Sequence, residues 1–249
     1  MHYAVSIREL ASRRYTGVVE LVAVAALYTL YELGRGFGDA TLEAARANTE
    51  RIVELERSIG LFVEAGIQDW AAGVPSLPSL LGLAYVSLHL GATGGVMVWL
   101  HRVHPGRFAT VRNALLLSTA LSLVVYALFP AAPPRLAGMG FADTVSSHTR
   151  VNLSSDLLGS LYNPFAAVPS MHFGYALLVG IVVASTARRP LVRALGALYP
   201  PFMLFDIVAT GNHFLFDAAM GGLVVAGAWI AASSLARRPV VRLAVRTNT

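Results

Sequence analysis

Six apolar runs long enough to cross a bilayer divide this chain: Thr16–Leu33, Leu77–Leu100, Ala114–Pro130, Ala166–Thr186, Leu191–Thr210 and Phe214–Leu235. A hydrocarbon core about 30 Å thick is spanned by about 20 residues of helix. Lipid offers the backbone no hydrogen-bond partners, so each run has to satisfy its own N–H and C=O groups as a helix. Only 13% of the residues are charged and the mean hydropathy is +0.60, outside the range of soluble domains. The expected fold is therefore all-α, an integral membrane bundle of six transmembrane helices. It forms a single membrane-embedded domain over 1–249, ending in a basic tail from about 236. The first run follows Arg8, Arg13 and Arg14 but exceeds the apolar region of a signal peptide and reaches Tyr31-Glu32 without a small-residue cleavage site. It reads as a retained span.

The arginines orient the bundle. All 19 basic residues are arginine, and 13 of them flank one side of the membrane: the N-terminal three, Arg102, Arg107 and Arg112, Arg188, Arg189 and Arg193, and the tail. The other side holds Arg35, Arg46, Arg51, Arg57, Arg135 and Arg150. By the positive-inside rule both termini are cytoplasmic, in a multi-pass protein of the cell membrane. The basic residues are not interleaved with aromatics as in a nucleic-acid groove, so the membrane, and no nucleic acid, is the expected partner. Cysteine is absent, which excludes disulfides, thiolate catalysis and Cys-ligated metals.

The connecting segments carry further signals. From Asp39 to Val74, Leu42, Ala45, Ile52, Leu55 and Ile59 recur at helical spacing among charged residues, which predicts an amphipathic helix on the outer membrane surface ending at Gly60. Leu61 to Trp70 is a second short apolar piece. Gly91-Ala92-Thr93-Gly94-Gly95 gives the second span a small-residue face for close helix approach. That span also holds His89, either an interhelical hydrogen-bond partner or a pocket lining. After the third span, Phe129-Pro130-Ala131-Ala132-Pro133-Pro134-Arg135 ends the helix and stiffens the exit, presenting Arg135, whose guanidinium fork suits a phosphate. The loop from Leu136 to Tyr162 is long enough for a lid or substrate-binding element, with His148, Arg150 and Asp156 as candidates. Gly34-Arg35-Gly36-Phe37-Gly38 lacks the spacing of a phosphate-binding loop and follows a membrane helix.

Two runs concentrate the chemistry: Asn163-Pro164-Phe165-Ala166-Ala167-Val168-Pro169-Ser170-Met171-His172 and Gly211-Asn212-His213-Phe214-Leu215-Phe216-Asp217. Each sits where an apolar run begins. Proline and serine ahead of an apolar stretch read as a helix start, which places His172 in a first turn whose N–H groups favour anions. His213 and Asp217, spaced i, i+4 at the opening of the last helix, fall on one face, where the carboxylate holds the imidazole in one tautomer. With Arg135 they lie at the outer membrane face. Ionisable residues of this kind inside membrane segments are costly and usually functional.

Pro169-Ser170-Met171-His172 with Gly211-Asn212-His213-Phe214-Leu215-Phe216-Asp217 resembles the second and third signature motifs of the type-2 phosphatidic acid phosphatase superfamily. Within it, the Pro-Ser-Met-His run, the preceding Pro-Pro-Arg segment and the outer amphipathic stretch resemble the inositol phosphorylceramide synthase branch. The resemblance implies that His213 is the nucleophile, that Asp217 orients and activates it, and that His172 is the general acid. It implies Arg135, Ser170 and Asn212 as phosphate-binding residues, with no cofactor and no metal. Two cations of the family pattern are missing: the first-motif lysine, and an arginine where Ile207 stands beside Asp206. A phosphodiester carries one negative charge and needs less neutralisation than a phosphomonoester, so a donor such as phosphatidylinositol is favoured over phosphatidic acid.

The mechanism this implies passes through a phosphohistidine on His213, which an acceptor hydroxyl or water then attacks. A phospho-head-group transferase is the first reading and a lipid phosphate phosphatase the alternative. A non-catalytic membrane protein or transporter is the rival from another class, and the intact His172, His213 and Asp217 set argues against it. A vanadate-holding peroxidase would need more cationic ligands.

Overall fold

The computed structural model describes residues 41–149, 151 and 163–236. The first expected span, Thr16–Leu33, and the tail beyond 236 lie outside them. In chain order the described helices are α1 (Leu42–Ser58), α2 (Glu64–Ala72), α3 (Leu77–Val103), α4 (Pro105–Leu128), α5 (Thr144–His148), α6 (Met171–Thr186), α7 (Pro190–Ala209) and α8 (Leu215–Ala236), with a 3-10 turn at Pro134–Leu136 between α4 and α5. Of these, α3, α4, α7 and α8 are long and apolar enough to cross a membrane, and α6 is a shorter apolar helix. All-helical architecture and a multi-pass membrane character are thus present.

The apolar helices pack through two layers of core. Leu100 of α3, Val111 and Ala114 of α4, Leu178 and Val182 of α6, and Val225 and Ala232 of α8 form one cluster. Met203, Ile207 and Val208 of α7 meet Ala176 of α6 and Ala218 of α8 in another. Outward faces remain apolar, with Leu90, Leu128, Leu191 and Leu223 exposed as lipid-facing positions are.

Two glycines let α6 and α8 approach closely. A Cβ on Gly174 would lie 2.9 Å from the Gly221 carbonyl oxygen, and a Cβ on Gly221 would collide with the carbonyl of Ser170. The turn before α6 and the first turns of α8 are thereby held against each other, and the Ser170 N–H donates to the Asp217 carbonyl at 2.8 Å.

α6 begins at Met171, five residues later than the expected start at Ala166. The intervening stretch is extended: Ala166 bridges Ala131, with Ala131 N–H donating to the Phe165 carbonyl at 2.8 Å and Ala167 N–H to the Ala131 carbonyl at 3.3 Å. Pro169 lacks the N–H a helix interior would use, and Ser170 is the cap, its hydroxyl accepting from Phe173 N–H at 3.4 Å.

The amphipathic helix also differs from expectation. α1 ends in a Schellman motif, Gly60 at φ +71°, Leu61 N–H to the Glu56 carbonyl at 2.8 Å and Gly60 N–H to the Arg57 carbonyl at 3.1 Å. Yet Leu42, Leu55 and Ile59 of the expected apolar stripe are exposed, and the buried face is Ala45, Thr49, Ile52, Val53 and Glu56. That face docks on protein. The prolines at 130, 133 and 134 keep the segment after α4 out of regular structure, leaving carbonyls in need of donors. α1 supplies them: Thr49 hydroxyl to Ala132 carbonyl at 2.9 Å, Asn48 Nδ2 to Pro130 carbonyl at 2.9 Å, and Arg46 Nε to Leu136 carbonyl at 2.8 Å.

Gly221→Ala forces backbone apart at the α6–α8 crossing. Overpacking of this kind costs about 1–3 kcal/mol, so a lowered thermal unfolding midpoint in detergent micelles is the expected result, against an unchanged midpoint for Gly227→Ala, where a Cβ meets open space.

Candidate functional site

Gly211 opens the site. At φ +71° it adopts a left-handed conformation, and a Cβ there would lie 2.6 Å from Gln68 Nε2 and 2.8 Å from the Ala142 carbonyl oxygen, so only glycine fits the turn between α7 and α8. The turn is tied back to α7, because Asn212 and His213 N–H groups both donate to the Ile207 carbonyl at 3.0 and 3.1 Å. Ile207, standing where the family pattern has a cation, therefore contributes backbone and a fully buried side chain. Asp206 beside it is buried, and neither carboxylate oxygen has a hydrogen-bond partner among the described residues.

His213 lies two residues ahead of α8, so its meeting with Asp217 comes from the turn instead of a shared helix face. Its Nδ1 is 3.1 Å from the Ala167 carbonyl and 3.3 Å from Asp217 Oδ2. A carbonyl and a carboxylate can only accept, so Nδ1 carries the hydrogen and Nε2 is left with its lone pair. Asp217 Oδ2 also accepts from Phe214 N–H at 2.9 Å, which locks the carboxylate. Both side chains are buried, Asp217 completely.

His172 sits in the first turn of α6 with its ring centroid 5.9 Å from that of His213. Tyr85 of α3 stacks on it at 4.3 Å and 13°. His89, one turn further along α3, is 4.5 Å from His172 and stacks at 5.5 Å on Tyr175, whose hydroxyl hydrogen-bonds Thr119. His89 thus packs against His172 and Tyr175. Tyr85 carried no motif, and its only sequence signal is its i, i+4 spacing to His89.

Arg135 is brought to the same place. Its Nε donates to Asn212 Oδ1 at 3.0 Å, its N–H donates to the Gly211 carbonyl at 3.0 Å, and Nη1 stands 3.9 Å from Asp143 Oδ2. Asn212 in turn donates to the Thr210 hydroxyl at 3.0 Å. Asn212 therefore aims the guanidinium, with Ser170 acting through the helix cap. His148 is apart from this group, its Nδ1 against the Thr144 carbonyl of its own helix, and Arg150 and Asp156 lie outside the described residues.

Two side chains were not among the sequence candidates. Glu64 Oε1 accepts from Leu215 N–H at 2.9 Å, and Glu56 Oε1 accepts from Phe216 N–H at 2.7 Å. Both are buried, Glu64 completely. Glu56 was legible in principle, since it continues the i, i+4, i+7, i+11 series of Ala45, Thr49, Ile52 and Glu56 on the buried face.

The sequence matches the PAP2 superfamily over residues 50–232, and the chain belongs to that superfamily. It is accordingly a membrane enzyme of the PAP2 phosphatase class. No curated protein sequence matches it. Among solved structures, the crystal structure of Aquifex aeolicus LpxE is similar in fold, with a TM-score of 0.50 and 19% identity, covering 70% of this chain and 94% of that one.

Burial, with Glu64 and Asp217 nearby, pushes the Glu56 carboxyl from 4.5 up to about 8, against the lowering effect of the Phe216 N–H. A carboxyl with a raised folded value contributes stability that is complete below about 4.5 and is lost as pH rises through about 8. The unfolding midpoint in micelles should therefore fall between pH 5 and 8, and Glu56→Gln, which mimics the protonated acid, should flatten that slope.

Proposed function

We propose that this enzyme is a phosphotransferase that moves a phospho-head-group, phosphoinositol, from a phospholipid to a hydroxyl acceptor through a phosphohistidine on His213. The observation that carries the reading is the pair of acceptors on His213 Nδ1, which leaves Nε2 as a nucleophile with the ring orientation held. Nε2 attacks phosphorus, the bond to the glycerol oxygen breaks, and His172 gives that oxygen its proton. Asp217 stabilises the imidazolium that develops. The acceptor hydroxyl then gives its proton to His172 and attacks phosphorus as the N–P bond breaks. Arg135, aimed by Asn212, balances charge on the phosphoryl oxygens, where most of the catalysis of phosphoryl transfer lies.

The donor class follows from charge. Arg135 is the cation that Asn212 brings to this site, and the Asp217 carboxylate lies against the nucleophile, which favours a singly charged phosphodiester over a dianionic monoester. The arginine distribution supports a site on the non-cytoplasmic face with both termini cytoplasmic, and the continuity of core contacts supports one domain.

Purified protein in bilayers containing phosphatidylinositol or, separately, phosphatidic acid tests the reading by mass spectrometry. The expected result is diacylglycerol together with a new phosphoinositol product from phosphatidylinositol. Loss of the base, acid or nucleophile costs about 10²–10⁴-fold or more, so His213→Ala, His172→Ala and Asp217→Asn should each fall to near background. Free phosphate from phosphatidic acid instead would make the enzyme a lipid phosphate phosphatase with water as acceptor.

A further inference from the structure

A helix start leaves its first N–H groups without intrahelical partners, and in this superfamily's chemistry they would be obvious donors for a phosphate. At α8 they are taken. Phe214 N–H goes to Asp217 Oδ2, Leu215 N–H to Glu64 Oε1 and Phe216 N–H to Glu56 Oε1, at 2.9, 2.9 and 2.7 Å. Two of the three carboxyls come from outside the helix, more than 150 positions earlier in the chain.

Such an arrangement is costly unless it has a use. Glu56 and Glu64 are buried, and their second oxygens have no protein donor among the described residues. Water at an exposed helix start would satisfy the same N–H groups without desolvating two acids. The acids also reach the site on separate elements: Glu56 one turn from the end of α1, Glu64 at the first residue of α2, joined by the Gly60 turn. The α1 face bearing Glu56 grips the Pro-Pro-Arg segment through Thr49, so one helix touches both the segment presenting Arg135 and the helix start beside His213.

We infer that Glu56 and Glu64 are positioning residues for the histidine nucleophile: by accepting from Phe216 and Leu215 they fix the turn that aims His213 and keep the α8 N–H groups away from phosphate. The inference rests on His213 being the nucleophile. The phosphoryl group is thereby left to Arg135 and the N-terminus of α6, and α1 alone touches both sides of the pocket, through Thr49 and Glu56. What matters in each glutamate is the acceptor oxygen, which glutamine retains and alanine removes.

The test is steady-state turnover in vesicles of phosphatidylcholine carrying phosphatidylinositol and phosphatidic acid, with loss of either lipid followed by mass spectrometry. Misplacing a reacting group by about 1 Å can cost about 100-fold, so Glu64→Ala and Glu56→Ala should lower kcat about 30-fold or more with KM changed less than about threefold. Glu64→Gln and Glu56→Gln should each restore kcat to within about threefold of wild type. If the alanine variants do not fold, Glu64→Asp carries the test: it keeps the charge, draws the acceptor back by a methylene, and should lose kcat. Glutamine variants as impaired as alanine, an effect on KM alone, or full kcat in Glu64→Asp or Glu64→Ala would overturn the inference. Turnover surviving in His213→Ala would instead overturn the nucleophile assignment beneath it, whatever the glutamate variants do.

Discussion

A single N–H group organises this protein's chemistry. The Nδ1–H of His213 is shared between the Ala167 carbonyl and Asp217 Oδ2, and those acceptors arrive on different parts of the chain. For Ala167 to be there, the stretch before α6 has to stay extended, which Pro164, Pro169 and its pairing with Ala131 secure. For Asp217 to be there, α8 has to start at Leu215 and press its Gly221 face on Ser170. Both conditions meet in the bond from Ser170 N–H to the Asp217 carbonyl. The tautomer of one imidazole thus depends on helix crossing, strand pairing and turn geometry at once.

Burial sets the electrostatic terms on which the site works. Carboxylates withdrawn from water are expensive, and their cost is offset here by hydrogen bonds from backbone N–H groups. Among the described residues the glutamates are not partnered by basic side chains: their acceptor oxygens go to the backbone of the α8 start. This ties the α8 start to α1 and α2, and leaves Arg135 to meet the phosphoryl charge. The same balance that favours a singly charged donor also strengthens the pull on the His213 imidazolium as it forms.

α1 and the start of α2 turn out to be structural to the pocket. An amphipathic pattern ordinarily places the apolar stripe against the bilayer or a core, and Leu42, Leu55 and Ile59 do face outward. The face that docks mixes apolar Ala45, Ile52 and Val53 with Thr49 and Glu56, because the proline-rich exit from α4 offers bare carbonyls and the α8 start offers bare N–H groups. Thr49, Asn48 and Glu56 match those needs better than leucine could.

The membrane character, the helical class and the two motif-bearing helix starts were readable from the chain alone, since each rests on a local property: the length of an apolar run, a proline ahead of a capping serine, a glycine before a turn. Those properties also pointed to His172, His213, Asp217 and Arg135, and the family resemblance added Ser170 and Asn212. Tertiary structure decided the rest. That Asn212 aims Arg135, that Tyr85 and His89 wall His172, and that Glu56 and Glu64 cap the helix start beside His213 all depend on contacts between residues up to 160 positions apart. Periodicity tells which residues share a face of one helix. It does not tell which backbone groups on another segment are left unsatisfied, and those groups, desolvated by packing, are what Asn48, Thr49 and Glu56 of α1 meet.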